Sequence, residues 1–302
     1  MLTPDRLQTI QNLLRAAGLR GWLLYDFRGL NPIARQLAPL PAAIFLSRRW
    51  AFWIPAQGQP AWLVHAIEQG HFSARPEPVH TYSSWRSFEL GLLGLTGGGG
   101  AIACEISPGC AIPYTSYVDA GTAEQLRALG YTLHTSADLV QAAHAVWTPA
   151  QLASHRRAAA LCLQTKDAAF ALIRERLRAG QPTTELDIQG FIQERLTAAG
   201  LETDHPAIVA VNAHASDPHY SPTPARHSHI RPGDLILIDL WGKLADDPAA
   251  VFADMTWMGF AGPQPPAEMQ AVFDIVAQAR DAAIARVQQR CAAGDPPHGW
   301  EV

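Results

Sequence analysis

The apolar positions along the chain switch between helical and strand-like spacing. Near the start, Leu7, Ile10, Leu13, Leu14 and Ala17 recur at helical intervals. Thr3 is suited to cap that helix, Pro4 to open it and Gly18 to close it in a left-handed conformation, which predicts a helix from Pro4 to Gly18. Short apolar runs then predict strands at Trp22–Tyr25, around Ala43–Leu46, at Ala51–Ile54 and at Ala61–Val64. The turn-forming Gln57-Gly58-Gln59-Pro60 predicts that the last two form a hairpin. A helix over Thr122–Leu129, closed by Gly130, and a strand over Tyr131–His134 complete an α/β pattern. The run Gly97–Gly100 leads into a strand-like segment and has no lysine beside it, so it reads as a plain flexible loop and not a phosphate cradle.

The texture changes around Val146-Trp147-Thr148-Pro149. From Gln151, a long helix carrying Leu152, Leu161, Ala168, Leu172 and Leu177 is predicted to run towards Arg178 and stop at Gly180. Thr184, with Asp187 three residues on, predicts the capped start of a second helix that carries Leu186, Phe191, Ile192 and Leu196 and ends at Gly200. A strand at Ala207–Val211 follows, then a loop rich in His, Pro and Ser, then two strands. A last helix from about Pro266 is expected to pack Met269, Phe273, Val276 and Ile284. Two domains are expected, 1–146 and 147–302, with no internal repeat.

The last two strands carry the most informative residues: Leu235-Ile236-Leu237-Ile238-Asp239-Leu240-Trp241, then a turn with Asp246-Asp247-Pro248, then Val251-Phe252-Ala253-Asp254-Met255-Thr256-Trp257. A hairpin symmetric about the Asp246–Asp247 bond would set Asp239 directly opposite Asp254, with Cβ atoms ~4.5–5.5 Å apart. Opposed carboxylates in apolar surroundings persist if they share a proton or hold a cation. Paired metals in hydrolases lie ~3.5–4 Å apart, which such a pair can bridge. The bland reading is that one aspartate faces out or that the register is shifted.

Composition narrows the function. At 302 residues, 48% hydrophobic and 17% charged, the chain has material for real cores. A net charge of −4 with no basic stripe argues against a nucleic-acid partner, and no window approaches the ~18 apolar residues of a membrane span. Asp5 and Arg6 at the start do not open a signal peptide. Cys104, Cys110, Cys162 and Cys291 lack CxxC spacing and are expected as buried or partly buried free thiols in a reducing, cytoplasmic setting. His214, His219, His227 and His229 cluster in the loop before the first aspartate strand, and His205 lies close by. Any of them could polarise a carbonyl, and chemistry alone does not choose. Their spacing matches no structural zinc pattern, and no HExxH, GxSxG or Walker loop is present.

The segments Asn212–Tyr220, Arg231–Asp239 and Ala253–Trp257 together resemble the signature of the M24 "pita-bread" metallopeptidases, and Arg6–Tyr25 is similar to the start of the creatinase-like N-terminal domain of prolidases and Xaa-Pro aminopeptidases. The resemblance implies an α/β creatinase-like N-terminal domain over 1–146 and an incomplete α+β pita-bread domain over 147–302. It implies that Asp239 and Asp254 are metal ligands, Asp254 the bridging one, and that His219 contacts substrate near the scissile bond. It also implies two divalent ions (Mn²⁺ before Co²⁺ or Zn²⁺), a short peptide substrate with proline at the second position as one option, and a homodimer. The family completes its site with a histidine and two glutamates further along. Here the sequence reaches Val302 without them, and His298 and Glu301 do not occupy their motifs. Residues 1–302 alone are therefore expected to hold a weak site, to lack peptidase activity with added Mn²⁺, and to associate through the open sheet face. Two alternatives stay open: a creatinase-like amidohydrolase that works without metal, and a non-catalytic pita-bread peptide binder.

Overall fold

The computed structural model describes residues 3–41 and 44–302. Packing divides the chain into two compact units, Met1–Trp147 and Thr148–Val302.

The first unit runs α1 (Pro4–Ala16), β1 (Gly21–Asp26), α2 (Pro32–Leu37), β2 (Trp50–Pro55), β3 (Ala61–His65), β4 (Val79–Tyr82), α3 (Trp85–Thr96), β5 (Gly100–Cys104), α4 (Ala120–Ala128), β6 (Tyr131–Thr135) and α5 (Ala137–Val140). Its six strands form one mixed sheet in the order β4-β3-β2-β1-β5-β6, with β2 antiparallel to both neighbours and the other pairings parallel. Every residue of β1 is buried, as expected for a central strand covered on both faces. Trp22, Leu24, Phe52 and Ile54 pack with Ile10 and Leu14 of α1 on one face. Leu23, Ala51, Trp53 and Leu63 pack with Phe88 and Leu92 of α3 and Leu126 of α4 on the other. A Cβ at Gly21 would stand 2.3 Å from the Trp53 ring, so only glycine fits there.

Two expectations for this unit fail. Residues 44–49 form no strand, and Ala43 lies outside the described residues. Gly97–Gly100 is not a loose loop either. Gly97 closes α3 at φ +73°, and the Arg20 guanidinium donates to the carbonyls of Thr96, Gly97, Gly98 and Gly99, satisfying acceptors that a helix end leaves open.

Glu105, just past β5, is fully buried. It accepts from Trp22 Nε1 at 2.6 Å, Asn31 Nδ2 at 2.8 Å and Ser136 Oγ at 3.1 Å. Burial pushes its carboxyl up from 4.5 to about 7, with the three donors opposing the shift. Between those values the folded state holds more protons than the unfolded one, so stability falls as pH rises through the window and levels off above it. The loss is roughly 3 kcal/mol. Thermal melts between pH 4.5 and 8 should show this slope, and Glu105→Gln should flatten it.

The second unit contains α6 (Pro149–Arg178), α7 (Glu185–Ala198), β7 (Leu201–Glu202), β8 (Ile208–Val211), β9 (Leu235–Leu244), β10 (Ala253–Phe260) and α8 (Ala267–Ala292). Thr148 and Thr184 cap α6 and α7 through reciprocal boxes with Gln151 and Asp187. The sheet is antiparallel: β9 pairs with β10 along one edge and with β8 and β7 along the other. Burial alternates strictly along β9, so Ile236, Ile238, Leu240 and Leu244 pack with Ala169 and Ile173 of α6 and Ile188 and Ile192 of α7. The intervening residues, Asp239 among them, face the other way.

Helix α8 corrects another expectation. Met269, Phe273, Val276 and Ile284 are not packed: they range from 36% exposed at Met269 to 62% at Val276, and no described residue of α8 is buried. Of the cysteines, Cys104 and Cys162 are buried, but Cys110 and Cys291 are exposed thiols.

Candidate metal-carboxylate site and its histidine loop

The β9–β10 register places Asp239 opposite Thr256 and Asp254 opposite Trp241. The direct opposition of the two aspartates is thus overturned. The hairpin is centred between Asp247 and Pro248, one residue later than symmetry about Asp246–Asp247 would put it. In the connection, the Asp247 carboxylate accepts from Ala249 N at 2.8 Å and its carbonyl from Ala250 N at 3.0 Å, so the turn forms around this residue. The resulting slip is two residues. An even slip keeps side chains on their face, so Asp239, Asp254 and Thr256 share the face turned away from the helices, with the aspartates as diagonal neighbours.

Thr256 Oγ1 donates to Asp239 Oδ1 at 2.8 Å and fixes that carboxylate. Asp254 is exposed at the surface, yet partial desolvation first and then the charge of Asp239 hold its carboxyl above the ordinary carboxylate range. The charge of Asp239 thus bears on Asp254 across the diagonal, and a cation between them would offset that repulsion. Trp241 beside them is held by its Nε1 donating to Asp204 Oδ1 at 2.6 Å.

Residues 212–230 form the histidine loop between β8 and β9. Asn212, at φ +51°, locks its first turn: its Nδ2 donates to Asp234 Oδ1 at 2.8 Å and its Oδ1 accepts from Leu235 N at 2.9 Å. The larger anchor is Glu185, the first residue of α7, whose side chain is completely buried. Its Oε1 accepts from Val211 N at 2.7 Å and contacts His214 Nδ1 at 2.9 Å. Its Oε2 accepts from Tyr220 OH at 2.5 Å and Ser228 N at 2.6 Å. One carboxylate thus ties the start, middle and end of the loop. The His214 and Tyr220 rings stack at 4.1 Å.

His219 stands at the exposed rim of this loop, with its backbone N–H donating to Asp217 Oδ1 at 3.2 Å. His214 is committed to Glu185, His227 contacts the Thr223 carbonyl, and His205 contacts Asp204. Among the described residues no group of three or more His, Cys, Asp or Glu side chains could hold a metal ion, so neither His219 nor another histidine joins the aspartates in one ligand cluster. Glu185 and Tyr220 escape a sequence reading: an acid at the start of a helix reads as a dipole partner, and nothing in its spacing points to a loop some 30 residues on.

Residues 153–296 match the model of metallopeptidase family M24. No curated protein matches the chain. Among solved structures, dipeptidase PepE from Mycobacterium ulcerans is similar at 20% identity and a TM-score of 0.59, with 88% of this chain and 66% of that one covered. A prolidase from Thermococcus sibiricus is similar at 18% identity and a TM-score of 0.59, over 95% of this chain and 73% of that one. X-prolyl aminopeptidase from Caenorhabditis elegans, described as a cytosolic enzyme with a di-nuclear active site, gives 16% identity and a TM-score of 0.59, over 89% of this chain and 42% of its own. These likenesses establish a shared pita-bread fold. The chain spans just under two thirds of the dipeptidase.

Proposed function

We propose that the protein is a divalent-metal peptidase of the M24 type acting on short peptides, with Xaa-Pro substrates foremost; the match of residues 153–296 to the model of metallopeptidase family M24 supports this reading. The observation that carries this is the pair Asp239 and Asp254 on one sheet face, with the Asp254 carboxyl raised by desolvation and then by its neighbour's charge. Oxygen donors of this kind suit Mn²⁺ before Zn²⁺, with Co²⁺ between them. The two carboxylates fit as part of a ligand shell for two ions, and no third donor joins them among the described residues. When bound, such ions polarise the peptide carbonyl and lower the pKa of a bound water. Asp239 would offer the ions its second oxygen while Thr256 holds the first, and Asp254 would help to hold them. His219, on the loop tied by Glu185, is assigned to donate to the carbonyl oxygen of the scissile bond. A cytoplasmic homodimer is part of this reading. Among the described residues no helix is long and apolar enough to cross a membrane.

The test is hydrolysis of Xaa-Pro and Xaa-Ala dipeptides by the gene product purified from its native source, before and after chelation. Hydrolysis should vanish on chelation and return best with Mn²⁺. Cleavage that survives chelation supports the metal-free amidohydrolase, and peptide binding without cleavage or metal supports the non-catalytic binder.

A further inference from the structure

The first unit carries a cavity of about 440 Å³ that the peptidase reading does not use. Since β1, β3 and β4 run in the same direction, Phe27, His65 and Tyr82 gather at their carboxyl ends, where Arg48 and Arg49 lead into the antiparallel β2. Crevices outside strand carboxyl ends are where open α/β sheets take ligands.

The lining is basic and aromatic. Arg49 is pre-positioned, its guanidinium 4.3 Å over the Phe88 ring and bonded to Gln125 Oε1 at 3.4 Å. His65 Nδ1 accepts from Ile67 N at 3.2 Å, which leaves Nε2 as the donor in the neutral ring. Helix α3 begins at the cavity: Ser83 and Ser84 line it, their N–H groups are taken by Ser87 Oγ, and no acid stands in the first turn. The amides of Trp85 and Arg86 precede the first intrahelical bond, Phe88 N to Ser84 O, so they have no helical acceptor. Among the described residues the side-chain ion pairs all lie in the second unit, so no carboxylate is paired with Arg48, Arg49 or Arg86. Glu68 is buried beneath Ser47 and Arg48, bonded to their backbone N–H groups, and does not line the cavity. The apolar walls are Phe27 and Trp85, both exposed, with the Arg86 guanidinium 5.1 Å over the Trp85 ring.

We infer that this cavity binds a small organic anion, its carboxylate or phosphate held by Arg48, Arg49, His65 and the start of α3, and its flat apolar body resting on Phe27 and Trp85. Charge-assisted bonds at a basic cluster supply the head-group affinity, and the exposed rings explain why a bare inorganic ion would be a poorer ligand.

Titration calorimetry on the whole chain tests this with phenyl phosphate, benzoate, inorganic phosphate and, as the charge-reversed control, benzyltrimethylammonium. Saturable one-site binding of phenyl phosphate or benzoate is expected, and whichever is tighter identifies the head group. Arg48→Ala should weaken it about tenfold and Arg48→Lys by less, because lysine keeps the charge but loses the fork. Trp85→Ala should weaken phenyl phosphate towards the level of inorganic phosphate. The inference is overturned if neither aromatic anion saturates, or if the cation binds as well as the anions. It also fails if Arg48→Ala and Arg48→Lys, with unchanged near-UV circular dichroism, both leave the affinity within about twofold.

Discussion

Glu185→Ala is expected to destabilise the second unit by about 3–5 kcal/mol and to release residues 212–230 while α6 and the sheet remain folded at moderate temperature. The size follows from what the side chain holds. Removing this fully buried carboxylate leaves two backbone N–H groups (Val211 and Ser228), the Tyr220 hydroxyl and the partly buried His214 without their acceptor. Glu185→Gln should cost less, since its amide oxygen still accepts, although its NH₂ meets donors on the other side. Chemical denaturation gives the stability change, and limited proteolysis within 212–230 gives the local one. A melt within about 1 kcal/mol of the parent for Glu185→Ala would mean that the loop is held by other contacts. Loss of the loop would also scatter His219, so peptide hydrolysis by the native protein should fall with it.

Asp254→Asn is expected to have opposite effects with and without metal. Without metal it should stabilise the fold above the carboxyl's raised pKa, since it removes a charge that partial desolvation and Asp239 both disfavour. With Mn²⁺ it should lose the stabilisation that the unaltered chain gains, which is about 2.7 kcal/mol at a hundredfold excess over Kd. Asp239→Asn should lose the metal response too, but without the gain, because its carboxylate already accepts from Thr256. In the native protein either change should cut hydrolysis by more than about 100-fold, the loss that mutation of outer-shell partners alone can reach. Thermal melts with and without Mn²⁺ separate the cases. A metal-induced shift that survives in the Asp239→Asn/Asp254→Asn double variant would move the site elsewhere.

Much of this fold is local in origin and therefore readable along the chain. The helices starting after Thr148 and Thr184 carry their caps within three residues, the β2–β3 hairpin carries its turn, and the strict alternation of β9 marks its two faces. The second unit's match to the model of a metallopeptidase family was likewise foreshadowed, because the strand–Asp–turn–Asp-x-Thr segment is contiguous. Other features depended on distance in space. Spacing assigned Asp239 and Asp254 to strands, but the hairpin centre, and so the register, was decided by hydrogen bonding around Asp247. Periodicity marked the apolar positions of α8, yet whether they are covered depends on a partner surface that no pattern within the helix encodes. Glu185 reads as an ordinary helix-start acid. Only the folded chain brings Val211, His214, Tyr220 and Ser228 to its two oxygens, because an unfolded carboxylate meets water at no cost, whereas a buried one needs every one of those donors.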